Sequence, residues 1–144
     1  MGSPHQILDK ETVGHLLPQK FPFVMVDKMF GYDETSVTSG LKITADNIFF
    51  NGQHFLESGL VEHMAQTVAL HTGYQFFLKK EEAPTGYIGS IKEIKIGSLP
   101  KLNDEIKTTV TILHEFAGIT LVDIVTTLNE TEIATGQMKT VLAK

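Results

Sequence analysis

The chain reads as an α+β protein in which a curved antiparallel sheet wraps around one long central helix, and three features of the sequence predict it. One segment, Ser58 to about Lys80, carries apolar residues at three- and four-residue intervals, the period of a helix. About six other segments are rich in β-branched and aromatic residues and are divided by turn residues. The apolar stripe of the helix is too wide for a surface position, so the strands must cover it.

In chain order, Thr12 to Leu17 is predicted as a short helix, begun near Asp9 or Lys10-Glu11 and stopped by Pro18. The compact run Phe21 to Asp27 predicts a strand, Gly31-Tyr32-Asp33-Glu34 a turn, and Thr35 to Thr44 the returning strand. In the long helix, Leu60, Val61, Met64, Ala65, Val68, Ala69, Thr72 and Phe76 form the stripe, and Gly73 with several alanines suits burial on two sides. Ser58 is its expected N-cap, and Lys79-Lys80 complement the dipole at the other end. After Glu81-Glu82-Ala83-Pro84, strands are predicted over Tyr87 to Ile96, Glu105 to Leu113, Ile119 to Leu128 and Glu132 to Leu142. Ile106, Thr108, Val110 and Ile112 alternate with Lys107, Thr109, Thr111 and Leu113, so one face of that strand is buried.

A length of 144 residues fits one domain, expected to span 1–144 with residues 1–8 as a tail. The absence of cysteine excludes disulfides, thiolate catalysis and a thiolate zinc site. The opening Met-Gly-Ser-Pro-His lacks the basic and apolar regions of a secretion signal, and no apolar stretch has membrane-spanning length, so a cytoplasmic protein without a membrane partner is expected. The net charge is −5 and all twelve basic side chains are lysine. Without arginine, the bidentate contacts typical of nucleic-acid binding are unavailable, and no nucleic-acid partner is expected.

Several chemistries lack their signatures: there is no Gly-x-Ser-x-Gly, no Walker loop, no Gly-x-Gly-x-x-Gly and no His-Glu-x-x-His. The remaining candidates, His54, Glu57, Glu62, His63 and Gln66, crowd the start of the long helix. His54 lies in a loop flanked by glycine and aromatics, and Glu62 lies in the second turn among apolar neighbours, where desolvation disfavours the charged form. A histidine that accepts a proton and a carboxyl that donates one are what an α,β-elimination beside a thioester requires. The helix-start amides around Gly59 and Leu60 are placed to polarise the thioester oxygen. A loop histidine is also an ordinary surface residue, and Gln66, one turn on, offers Glu62 a plain hydrogen-bond partner. His63 is rotated about 100° from Glu62 around the helix and is read as structural. His15, His71 and His114 are read the same way, and His5 as tail.

Five motifs in order carry a family resemblance. Leu16-Leu17-Pro18-Gln19-Lys20-Phe21-Pro22-Phe23-Val24-Met25-Val26-Asp27 resembles the N-terminal Leu-Leu-Pro-x-x-x-Pro-Phe and Val-Asp signature of the β-hydroxyacyl-acyl-carrier-protein dehydratases. Phe49-Phe50-Asn51-Gly52-Gln53-His54-Phe55 is similar to their catalytic histidine loop, and Glu62-His63-Met64-Ala65-Gln66 to their Glu-Ala-Met-Ala-Gln. Gly89 to Ile96 and Leu102-Asn103-Asp104-Glu105-Ile106 resemble a later strand and turn. One residue, Gln53, is inserted before His54, and only seven residues separate His54 from Glu62. That shortened loop is similar to the dehydratase-like proteins of aryl polyene and related pigment clusters.

The resemblance implies the hot-dog fold and dehydration of a 3-hydroxyacyl thioester on acyl carrier protein to the trans-2-enoyl form, without metal or cofactor. It implies His54 and Glu62 as catalytic residues supplied by different subunits of a homodimer or a multiple of dimers. Gly59, Leu60 and Gln66 are then substrate-binding, and a tunnel beside the helix takes the acyl chain. Lys92, Lys95 and Lys101 are expected to meet the acidic carrier and its phosphopantetheine arm. Two other readings are compatible with such a fold, an acyl thioesterase and a non-catalytic acyl-binding subunit that partners a dehydratase.

Overall fold

The computed structural model describes residues 6–142; His5 and the rest of the first five residues lie outside them. Helix α1 (Lys10–Leu16) is capped by Asp9, whose carboxylate accepts the Thr12 amide at 3.0 Å. Ile7 and Leu8, expected in the tail, are instead bonded to Met29, with Ile7 N donating to Met29 O at 2.6 Å and Leu8 pairing in a bridge.

The strands are β1 (Lys28–Asp33), β2 (Ser36–Lys42), β3 (Gly86–Ile96), β4 (Glu105–Phe116), β5 (Ile119–Leu128) and β6 (Thr131–Leu142), and the long helix is α2 (Glu57–Leu78). All pairings are antiparallel, in the order β1-β2-β4-β5-β6-β3. The last four strands fall within a few residues of their expected bounds, and β4 buries Ile106, Thr108 and Val110 as its alternation requires. No described helix is long and apolar enough to cross a membrane.

Two expectations for the N-terminal half are corrected. Phe21 to Asp27 is not a strand: its middle is bonded to side chains of α2, as Met25 N–H donates to Gln66 Oε1 and Gln66 Nε2 donates to Phe23 O, while the Phe23 amide turns back to Lys20 O. The turn lies one step later than expected, at Glu34-Thr35, because Gly31, Tyr32 and Asp33 pair with Thr38, Val37 and Ser36.

Helix α2 sits in the hollow of the sheet, with Leu60, Met64 and Leu70 fully enclosed and Phe55, Met29, Val110, Ile124 and Met138 among the core residues around it. Burying that much apolar surface, at about 25 cal/mol per Å², is the main stabilising term. The buried face is not wholly apolar, contrary to the stripe read from sequence: His63, Gln66, Thr67 and His71 are buried as well, and each is hydrogen-bonded. The N-cap of the helix is Leu56, not Ser58. Leu56 has no capping side chain, and its own amide donates to Phe49 O at 2.9 Å, so a neighbouring loop holds the start in place of a cap.

Candidate active site

The loop before α2 is fixed through its backbone. Asn51 Oδ1 accepts the amides of Gln53 at 2.9 Å and His54 at 2.8 Å, and the Asn51 amide donates back to His54 O at 3.1 Å. This closed Asx turn uses the positive φ of Gly52, 98°, a conformation that costs glycine nothing. The inserted Gln53 is absorbed inside the turn. On the far side, Phe55 N donates to Pro100 O at 2.8 Å, and Phe55 is fully buried. Gly59 lies so close that a Cβ there would come within 2.7 Å of the Phe55 ring and Phe49, so any larger residue would separate helix from loop. His54 is half-buried, and none of the hydrogen bonds among the described residues joins its ring to Glu62.

Glu62 is held differently, by its side chain. It is half-buried, and its Oε2 accepts from Gln66 Nε2 at 2.8 Å. Gln66 is fully buried and committed entirely to the protein: Nε2 also donates to Phe23 O at 2.9 Å, and Oε1 accepts the Met25 amide at 2.7 Å. Gln66 thus links Glu62 to the Phe23–Met25 segment. Among the hydrogen bonds of the described residues, none goes to Oε1 of Glu62.

The Leu60 amide donates to Leu56 O at 3.1 Å and closes the first turn of α2. The Gly59 amide precedes that first intrahelical bond. Glu57 and Ser58 are exposed in the first turn.

His63 faces away from Glu62, into the sheet. Its Nδ1 lies 2.7 Å from Met25 O and its Nε2 2.8 Å from Thr108 Oγ1, with no exposed surface. Burial pushes its pKa from the usual 6.5 down to about 4, against the opposing pull of the Met25 carbonyl and the Asp27 charge. It is a neutral imidazole near pH 7. His71 is likewise buried and bonded to Asp33 O, whereas His15 and His114 are exposed.

Beside the helix lies a cavity of about 370 Å³. Its floor is Ala65, Val68, Ala69, Thr72 and Gly73 of α2, one wall is Leu16 to Gln19, and the opposite wall includes Gly86, Tyr87 and Ile88 at the start of β3. Glu62 falls on the same stripe of α2 as Ala65, Ala69 and Thr72, one turn nearer the N-terminus. The small residues Ala65, Ala69 and Gly73 leave room for that cavity. Lys92, Lys95 and Lys101 are all exposed, and Lys101 follows the Pro100 whose carbonyl holds the His54 loop. Among the described residues, no group of three His, Asp or Glu side chains converges as a metal site.

Solved structures place this architecture in the hot-dog class. The dehydratase heterocomplex ApeI:P from Xenorhabdus doucetiae superposes with a TM-score of 0.80, covering 92% of this chain and 91% of that one at 16% identity. The PaaI protein of the phenylacetic acid degradation operon of E. coli gives 0.65 over 78% and 80% of the two chains, also at 16% identity. In sequence, the 3-hydroxyacyl-[acyl-carrier-protein] dehydratase FabZ of Clostridium botulinum (strain Okra / Type B1) is 30% identical over 79% of this chain and 83% of its own length. FabZ of Vibrio cholerae is 28% identical over 91% and 92%. The family model described as ApeP dehydratase matches residues 11–143, and the chain belongs to this ApeP-like dehydratase family.

Proposed function

We propose that this chain dehydrates a 3-hydroxyacyl thioester carried on acyl carrier protein, giving the trans-2-enoyl thioester, with His54 as base and Glu62 as acid. His54 removes the proton on the carbon beside the thioester carbonyl, the new C=C forms, and the C–O bond at carbon 3 breaks as Glu62 protonates the departing hydroxyl. Water leaves, and the proton on His54 returns to Glu62 to reset the pair. The Gly59 amide polarises the thioester oxygen while negative charge develops on it. The observation that carries this reading is the half-buried Glu62 carboxyl, held through Oε2 by a fully buried Gln66 and set one turn before the cavity of about 370 Å³ that Ala65, Ala69 and Thr72 line. Acid/base groups of this kind supply roughly 10²- to 10⁴-fold each.

His54 lies half-exposed without a bond to Glu62, which favours a site completed by a second subunit. Strand β3 supports such pairing. It is a sheet edge on which Tyr87, Ile88 and Ile91 are 60%, 40% and 47% exposed, a surface that free monomers avoid presenting. Light scattering at micromolar concentration should return at least a dimer, and a monomeric mass would remove the shared site.

The activity is tested on the purified protein with a 3-hydroxyacyl chain on acyl carrier protein. Formation of the enoyl product with the thioester intact is expected. Release of a free carrier thiol would replace this reading with a thioesterase, and turnover only after addition of a second hot-dog subunit would make this chain the non-catalytic partner.

A further inference from the structure

Met25 is gripped on both sides of its backbone by α2, through His63 at the carbonyl and Gln66 at the amide. A carbonyl can only accept, so the proton of the neutral imidazole sits on Nδ1 and Nε2 is left as an acceptor. Nε2 therefore receives the Thr108 hydroxyl at 2.8 Å, and Thr108 in turn receives the Thr126 hydroxyl at 2.6 Å. The hydrogen bonds point one way, from β5 through β4 to the helix and the Met25 carbonyl. They resume at the Met25 amide, which occupies Gln66 Oε1 and thereby turns the Gln66 NH2 toward Phe23 O and Glu62 Oε2. His63, Gln66, Thr108 and Thr126 have no exposed surface, so no solvent competes for these bonds and each fixes the next.

We propose that His63 is a positioning residue for Glu62: by holding the Met25 carbonyl it fixes Met25 against α2, the Met25 amide on the preceding peptide sets the Gln66 side chain, and the Gln66 NH2 aims the carboxyl. A hydrophobic residue of the same size would fill the volume but leave Met25 O without its donor. This role rests on Glu62 being the acid.

The native protein gives the first test. With ¹⁵N-labelled histidine near pH 7, His63 should show the neutral tautomer protonated on Nδ1; the Nε2-protonated tautomer would overturn the proposal. Three variants give the second. His63→Asn places an amide nitrogen near Nδ1 and keeps the bond to Met25; His63→Gln reaches Thr108 but abandons Met25; His63→Leu keeps neither. Dehydration kcat should fall about 10-fold in the Gln and Leu variants and stay within about 2-fold of wild type in Asn, with KM little changed throughout. If kcat simply follows Tm, with Asn as impaired as Leu, His63 is core packing only. Should the Leu variant not fold, the Asn and Gln comparison decides alone. Glu62→Gln is assayed in parallel: full activity there removes the acid assignment and this role with it, whereas an inactive Glu62→Gln beside a fully active His63→Gln overturns the His63 role alone.

Discussion

Glu62 and His54 stand eight positions apart in the chain and are secured in opposite ways. On α2 the side chain of Glu62 is fixed by Gln66, which is fixed by Phe23 and Met25. In the loop, Asn51, Phe49 and Pro100 fix the backbone around His54, while its ring stays half-exposed. Both residues are half-buried, so what separates them is the part that is bonded, the side chain of Glu62 and the backbone of His54.

The sharpest way to break this comparison is to remove each group. Glu62→Gln and His54→Ala should each lower dehydration by at least about 10²-fold, and the double variant should be little worse than either. Glu57→Gln, three residues from His54 but exposed, should retain activity. Full activity in His54→Ala with loss in Glu62→Gln would leave the helix half of the site standing without the loop half.

Acid should distinguish the two regions next. The pKa of His63 is depressed in the folded state, so the unfolded chain binds the extra proton first. Its contribution is complete above pH 6.5 and is lost as pH falls from 6.5 to about 4. A loss of about 3 kcal/mol over that window follows from a shift of this size. Urea unfolding at a series of pH values should show it in the wild type and much less in His63→Leu. An identical slope in both proteins would mean that other groups carry the acid sensitivity. The smallest effect is expected at the surface. Reversing Lys92, Lys95 and Lys101 together should raise KM for a carrier-linked substrate several-fold, as rim charges do, and leave a short soluble thioester unaffected. Equal effects on both substrates would count against carrier docking there.

The same contrast explains what was legible in the sequence. The long helix and β3 to β6 follow local periods, three to four residues for the helix and two for a strand such as Ile106 to Ile112, so their bounds could be read directly. Asn51, Gly52 and His54 also form a local turn, and the histidine loop was visible as a motif. Phe21 to Asp27 has strand composition, but Phe23 and Met25 are bonded to side chains some forty positions away, and no local pattern records that. Gln66 could be seen beside Glu62 through its four-residue spacing. Its bonds to Phe23 and Met25 could not, because those residues lie some forty positions away. Leu56 as N-cap was hidden because its amide is satisfied by Phe49 rather than by a capping side chain.

Subunit complementation tests most directly whether Glu62 of one chain works with His54 of another. His54→Ala and Glu62→Gln proteins, each inactive, are mixed, unfolded together and refolded so that subunits redistribute. Half of the dimers should then be mixed, each with one intact site, so activity should recover to about one quarter of the wild-type value. Recovery near that level is the predicted result. No recovery, with mixed dimers demonstrated by mass spectrometry, would contradict a site shared between His54 and Glu62 of different subunits.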